Sequence, residues 1–361
     1  MRIALVVDPL TLGSRGGLHA PGLAQALIER GHEVRGFGAP PGVVPASVEY
    51  KELLGLSRFE ADVLVAYDGL SPTAFSAARV ARKTGAPLLL VEPGIPTSAV
   101  PLHERFLQGI GERIWASYVR NTAKHVVALD PVARALALRE GFDEDSVTVL
   151  PEGVDLQRFR PGVGGAARRR YGLHGRVVLY AGPLEPQRGL ELLIGAFART
   201  VGQNPDWCLV LLGEGAPGRT LRSHVSRLGV AANVHWIQDD PAVHPELFGT
   251  ATLFAAPGAD ERASSRWPCA ALAAGLPILA TDVERHRWAV AHEERGLLVP
   301  EQTRAAWEAA LTRSATAPVA RERWGRSARA FAEEHLDWAQ IAARFEALFE
   351  GALATSNDDA A

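Results

Sequence analysis

The feature that most constrains the fold is an alternation. Short runs rich in β-branched residues are each followed by a helical stretch, and the pattern is played out twice along the chain. In the first series residues 2–7 (RIALVV), 33–37, 63–67 (VLVAY), 88–91, 125–129 and 147–150 read as strands. In the second series the strands are 177–182 (VVLYAG), 208–213, 234–237, 253–256, 277–281 and 296–299. Near-continuous apolar strands belong to a sheet covered on both faces, and regular strand–helix alternation makes that sheet parallel. An α/β chain with two Rossmann-like doubly wound domains in series is therefore predicted. Its 361 residues suit two cores better than one.

Between the series, residues 161–176 (PGVGGAARRRYGLHGR) are rich in Gly, Pro and Arg without an apolar period, and read as the connection between domains. The expected division is residues 1–165, then 166–336, then a helix at 337–353 whose Ile341, Phe345, Leu348 and Phe349 share one face. The tail 354–361 has little to bury and is expected to fray.

Composition removes several function classes. With 38 basic and 41 acidic residues the net charge is -3, too balanced to argue for nucleic acid or an anionic membrane surface. Two cysteines, Cys208 and Cys269, make neither a disulfide framework nor a metal site, and MRIALVVDPL reads as a strand rather than a signal peptide. A cytoplasmic location is expected. Lysine occurs only at positions 51, 83 and 124, so 35 of the 38 basic residues are arginine. Phosphate-binding positions are accordingly expected to read Arg.

Doubly wound sheets bind ligands at the carboxyl ends of their strands, so the loops after strands carry the candidates, and two such edges facing each other would make a cleft. After the first strand, Gly16 and Gly17 open a helix, where backbone amides can approach an anion; a plain flexible loop is the competing reading. Gly213, Gly215 and Gly218 spell GxGxxG, which taken alone suggests a nicotinamide enzyme. Against that, the motif follows the second strand of its series, contains Pro217, and lacks an acidic residue closing the next strand to hold a ribose.

Several blocks in order carry more than any single motif. VVLYAGPLEPQRGLELLIGAFA, LVLLGEGAPGRTLRSHVSRLGVAANVHWI, LFAAPGADERASSRWPCAALAAGLPILATD and RGLLVP, with the GG loop, LIERGHEV and LPEGVDLQRFRPG upstream, resemble the family 4 retaining glycosyltransferases of the GT-B fold, glycosyltransferase group 1. The resemblance spans almost the whole chain. It implies a nucleotide-sugar donor held mainly by the C-terminal domain, and a glycan, lipid-linked or small-molecule acceptor held mainly by the N-terminal one. It further implies hexosyl transfer with retention and no required metal or other cofactor. The last helix would return to the first domain.

Residue by residue, the resemblance implies a diphosphate clamp in which Arg188 stands where relatives carry Lys, while Pro183 replaces their Arg. A guanidinium can grip phosphate oxygens bidentately and stabilise charge on the leaving group. Of the paired glutamates of relatives, Glu261 fits the first, orienting the sugar, and counting back from Gly275 puts Ala270 at the second. Ser264, Ser265 and Arg266 would supply substitute donors. Base recognition is expected from backbone near Gly213, Glu214, Gly215, Ile237 and Gln238. Where relatives have a histidine after the fourth strand this chain has Glu92, able to bind a sugar hydroxyl or to act as acid or base; His103 is the alternative. Losing two charge-assisted hydrogen bonds costs about 3–6 kcal/mol. That loss motivates a second reading, a non-catalytic relative that binds nucleotide or a protein; a nucleotide-sugar epimerase of the same fold is a third.

Two weaker signals remain. Asp143 and Asp145 form the DxD that holds metal in the other glycosyltransferase fold, but they precede a strand, where acidic turn residues are favoured. Arg113, Arg120 and Lys124 lie in a helical stretch that could touch a membrane-bound acceptor or simply be solvated.

Overall fold

The computed structural model describes residues 1–7, 15–38, 50–51, 53–69, 71–94, 115–185, 188–215, 218–259 and 265–358. They form two compact units. Unit 1 comprises Met1–Gly153 and Trp338–Ala361; unit 2 comprises Val154–Asp337.

Unit 1 is built on seven parallel strands: β1 (Arg2–Val6), β2 (Glu33–Phe37), β3 (Tyr50–Lys51), β4 (Val63–Tyr67), β5 (Leu88–Glu92), β6 (Ala123–Ala128) and β7 (Val147–Val149). Their order is β3-β2-β1-β4-β5-β6-β7. The period of two sorts each strand's side chains into two layers. Ile3, Leu5, Val63, Val65, Leu89 and Val91 face one core, and Ala4, Val6, Leu64, Ala66, Leu88 and Leu90 the other. The second core is closed by the helix Pro72–Thr84. Ser71 caps that helix by accepting from Ala74 N at 3.1 Å, Pro72 stands in its first turn, and Gly85 ends it at φ +77°.

The first core is closed by the helices Arg15–Glu29 and Trp338–Asp358, the latter burying Ile341, Ala342, Phe345 and Phe349. Trp338 lies so close to Gly22 and Gly153 that a Cβ on either would stand 2.2–2.3 Å from the indole. Beside it, Glu346 accepts from Arg30 Nε and Nη2 at 2.7 and 2.6 Å and meets His32 Nε2 at 2.7 Å. The last helix thus belongs to the first unit.

Unit 2 has six parallel strands: β8 (Arg176–Ala181), β9 (Trp207–Leu212), β10 (Val234–Ile237), β11 (Leu253–Ala256), β12 (Ile278–Thr281) and β13 (Gly296–Val299), in the order β10-β9-β8-β11-β12-β13. Strand order reverses between β8 and β11, as it does between β1 and β4 in unit 1. These are the topological switch points at which doubly wound sheets take ligands.

Two expectations are corrected. The chain passes between units at 153–154, so residues 161–176 lie within unit 2. Gly164 sits where a Cβ would stand 2.5 Å from Glu246 O, and Gly249 where one would stand 1.9 Å from Val163 O. This segment packs by small residues rather than by an apolar period, and so resembles a linker in sequence. The last helix also continues to Asp358 instead of fraying from 354, because Ala352 is buried and Thr355 and Ser356 bond back to Ala352 O. Strand β3, two residues long, has no sequence signal of its own.

Candidate functional site

At the carboxyl edge of unit 2 the loops after β8 and β11 meet. Arg188 and Gly189 lie against Pro257 and Gly258: a Cβ on Gly189 would stand 2.5 Å from Pro257 O, and one on Gly258 would stand 3.4 Å from Arg188 Cα. Gly189 takes φ +69° and precedes the helix Leu190–Gln203, while Thr281 Oγ1 donates to Pro257 O at 2.8 Å and fixes the opposing loop. Arg188 is thereby carried to the switch point by backbone packing. Its side chain is 16% exposed, with Nε 3.4 Å from Glu185 Oε2.

One strand over, Gly213 has φ +151°, donates to Ile237 O at 3.0 Å, and lies where a Cβ would stand 1.9 Å from Gly182 O. A Cβ on Gly215 would stand 2.5 Å from Leu184 O. The first two glycines of the literal GxGxxG therefore serve the packing of the β9 loop against the β8 loop, and the third, Gly218, starts the helix Gly218–Arg227. Glu214 O accepts from Leu184 N at 2.8 Å, and its carboxylate accepts from Gln238 Nε2 at 2.7 Å. Glu214 and Gln238 thus tie the ends of β9 and β10 together, and Ile237 contributes a buried side chain and an occupied carbonyl.

Beyond β11, Ser265 precedes the helix Arg266–Ala273. It is 2% exposed, and its Oγ meets no partner among the described residues. Glu261 and Ser264 lie outside the described residues. Ala270 is enclosed in the hydrophobic core, so the position reached by counting presents no side chain at the edge.

Sequence reasoning missed an aromatic assembly here. The Trp267 ring stacks on Phe248 (centroids 5.8 Å apart, 15° between planes) and meets the His244 ring edge-on at 4.9 Å. His244 is buried and its Nε2 lies 2.5 Å from Asp239 Oδ1, a carboxylate that can only accept. Burial holds the His244 pKa below its usual value against the opposing pull of Asp239. The only sequence signals are an acidic pair after β10 and a Trp-Pro at a helix start, neither of which names its partner.

In unit 1, Gly16 and Gly17 fall inside the first turn of the helix Arg15–Glu29, whose leading amides lack intrahelical acceptors. His19 faces the core, fully buried, with Nδ1 3.0 Å from the Tyr67 hydroxyl. Glu92 ends β5 at 6% exposure, and its Oε1 accepts from Gly94 N at 3.2 Å. Burial, then Asp68 and Glu140, raise the Glu92 pKa well above the carboxylate range. Glu140 itself is pushed up to about 7 by burial and Asp68.

Asp143 and Asp145 lie in the turn before β7, with Asp143 preceding the 3-10 helix Glu144–Ser146. No group of three or more His, Cys, Asp or Glu able to hold a metal occurs among the described residues. Arg120 donates to Glu140 O and Lys124 is exposed, while His103 and Arg113 lie outside the described residues. Among the described residues no helix is long and apolar enough to cross a membrane.

Residues 168–331 match the family model for glycosyl transferases group 1, and residues 29–153 match the glycosyl transferase 4-like domain. The chain is 32% identical over 218 residues to a D-inositol 3-phosphate glycosyltransferase of Segniliparus rotundus, covering 58% of this chain and 48% of that one. It is 32% identical over 231 residues to the protein of that name from Corynebacterium glutamicum, covering 60% and 54%. The chain therefore matches about half the length of these curated relatives. Anabaena HepE in complex with UDP superposes with a TM-score of 0.78 at 17% identity, over 97% of this chain and all of that one. A glycosyltransferase from Rickettsia africae gives 0.81 at 14% identity, over 98% of each. With its two halves matched in order by the two domain models and its fold matched along nearly its full length, the chain belongs to the glycosyltransferase group 1 family of the GT-B fold.

Proposed function

We propose that the chain transfers a sugar from a nucleoside-diphosphate donor to a hydroxyl acceptor with retention of anomeric configuration. The observation that carries the reading is the junction of the β8 and β11 loops, where Arg188 stands at the switch point of a doubly wound sheet. A diphosphate needs fixed cations and donors at that place, and Arg188 supplies a fork that stabilises the charge growing on the leaving group. Glu261 orients the sugar, Ser264 and Ser265 add diphosphate donors, and backbone around Gly213–Gly215 and Ile237–Gln238 borders the base. The departing phosphate takes the acceptor's proton. No metal enters the scheme. HepE, crystallised with UDP-glucose, and the inositol phosphate glycosyltransferases support a nucleotide-sugar donor and a polyol or sugar acceptor for this chain.

A second reading, a nucleotide-binding relative without turnover, is favoured by one observation: Ala270, the counted position of the second glutamate, lies in the core. One experiment separates them. Thermal shift across nucleoside diphosphates and their sugars is followed by product analysis with polyol, glycan and lipid-linked acceptors. Stabilisation by about 2.7 kcal/mol is expected at 100 times Kd. Stabilisation with turnover supports transfer, stabilisation without turnover supports the binding relative, and no stabilisation by any nucleotide refutes both.

A further inference from the structure

Trp267 stands beside the position where the family's arginine is missing. Gly182 ends β8 at φ +139° and is followed by Pro183, and a Cβ on Gly182 would stand 3.7 Å from Trp267 Nε1. The indole is half-buried. The Tyr180 hydroxyl, also beside Gly182, donates to Pro183 O at 2.7 Å.

The ring is held rather than loose. Phe248 backs its face, His244 meets it edge-on, and Asp239 fixes His244 through a 2.5 Å contact. The Arg266 guanidinium lies 4.8 Å from the ring centroid and adds positive charge. Two residues before the ring, Ser265 Oγ is buried without a partner among the described residues. An indole N–H is a donor only, so a ligand that satisfies it must present an acceptor oxygen next to Gly182.

We infer that the Trp267 indole N–H donates to a diphosphate oxygen of the donor nucleotide and replaces the arginine lost at Pro183. This rests on the nucleoside-diphosphate reading above. The Asp239–His244 pair is then a positioning device that sets the angle of the ring.

The test is Trp267→Phe, which keeps an aromatic ring and removes the N–H. Calorimetric titration of wild type with UDP, ADP, GDP and TDP selects the nucleotide bound best; failure of all four overturns the donor reading itself. With that nucleotide the variant should bind about tenfold to a hundredfold more weakly, as expected for a hydrogen bond to a charged group. Binding of the matching nucleoside, which lacks the phosphates, should stay within about threefold, as one decade of affinity already marks a lost charged hydrogen bond. Unchanged diphosphate affinity, or an equal loss for nucleoside and diphosphate, overturns the inference while leaving the donor reading intact. A second readout needs no variant. In wild type with 15N-labelled indoles, the Trp267 resonance, identified by its nuclear Overhauser contact with the His244 ring, should move downfield on adding the nucleotide. A stationary resonance overturns the inference.

Discussion

His19 offers a direct test of how the core of unit 1 is held. Its ring is fully buried against Trp338 and Phe345, with centroids at 5.2 and 6.0 Å. Nδ1 lies 3.0 Å from the Tyr67 hydroxyl, and Nε2 meets no partner among the described residues. Protonation would bury a charge with no carboxylate to answer it, so burial lowers the pKa from 6.5 to about 3. A depressed folded-state pKa means that below 6.5 the unfolded chain binds a proton the folded chain refuses. The stability contribution is therefore present at neutral pH and falls as pH drops from 6.5 towards 3, by about 1.4 kcal/mol per unit. Between pH 7.5 and 5 this amounts to about 2 kcal/mol, and it is insensitive to the folded value as long as that value lies well below 5. Urea denaturation of wild type and His19→Gln at both pH values isolates the contribution. The substitution adds a pH-independent cost, whereas the loss on acidification should be about 2 kcal/mol smaller in the variant. Equal losses in the two proteins would show that His19 is not held neutral and refute the reasoning.

Two further outcomes follow from packing. Gly213→Ala combines a φ of +151° with a Cβ 1.9 Å from Gly182 O, and should destabilise unit 2 by about 2–6 kcal/mol and abolish nucleotide binding. Gly202→Ala, in a helix with nothing within 4 Å of the added carbon, should instead be neutral or stabilising by up to about 1 kcal/mol; similar melting temperatures for both variants would contradict the packing account. Cys208 and Cys269 are buried, and burial pushes the Cys208 thiol up to about 11. Ellman's reagent should label neither in the folded protein and both in urea, and rapid labelling of either at neutral pH would place it at the surface.

Twelve of the thirteen strands were legible in the sequence because a strand buried on both faces needs a short continuous apolar run, a property of neighbouring residues. The family blocks, being runs of adjacent residues, already pointed to the GT-B fold and placed Arg188 at the loop after β8. Where the linker reading failed, at 161–176, the segment is held by small residues against partners far along the chain, and composition alone does not distinguish a close-packed glycine from a flexible one.

What the tertiary structure decided is which groups meet. It joined Arg188 to Pro257–Gly258, put Ala270 in the core, and closed Glu214 onto Gln238. It also brought Trp267 next to Gly182, a pair 85 positions apart. Chain order and local periodicity determine elements and their succession. The direction in which one indole N–H points, or whether a carboxyl such as Glu92 is buried beside Asp68, depends on how separate elements pack, and only the folded chain specifies that.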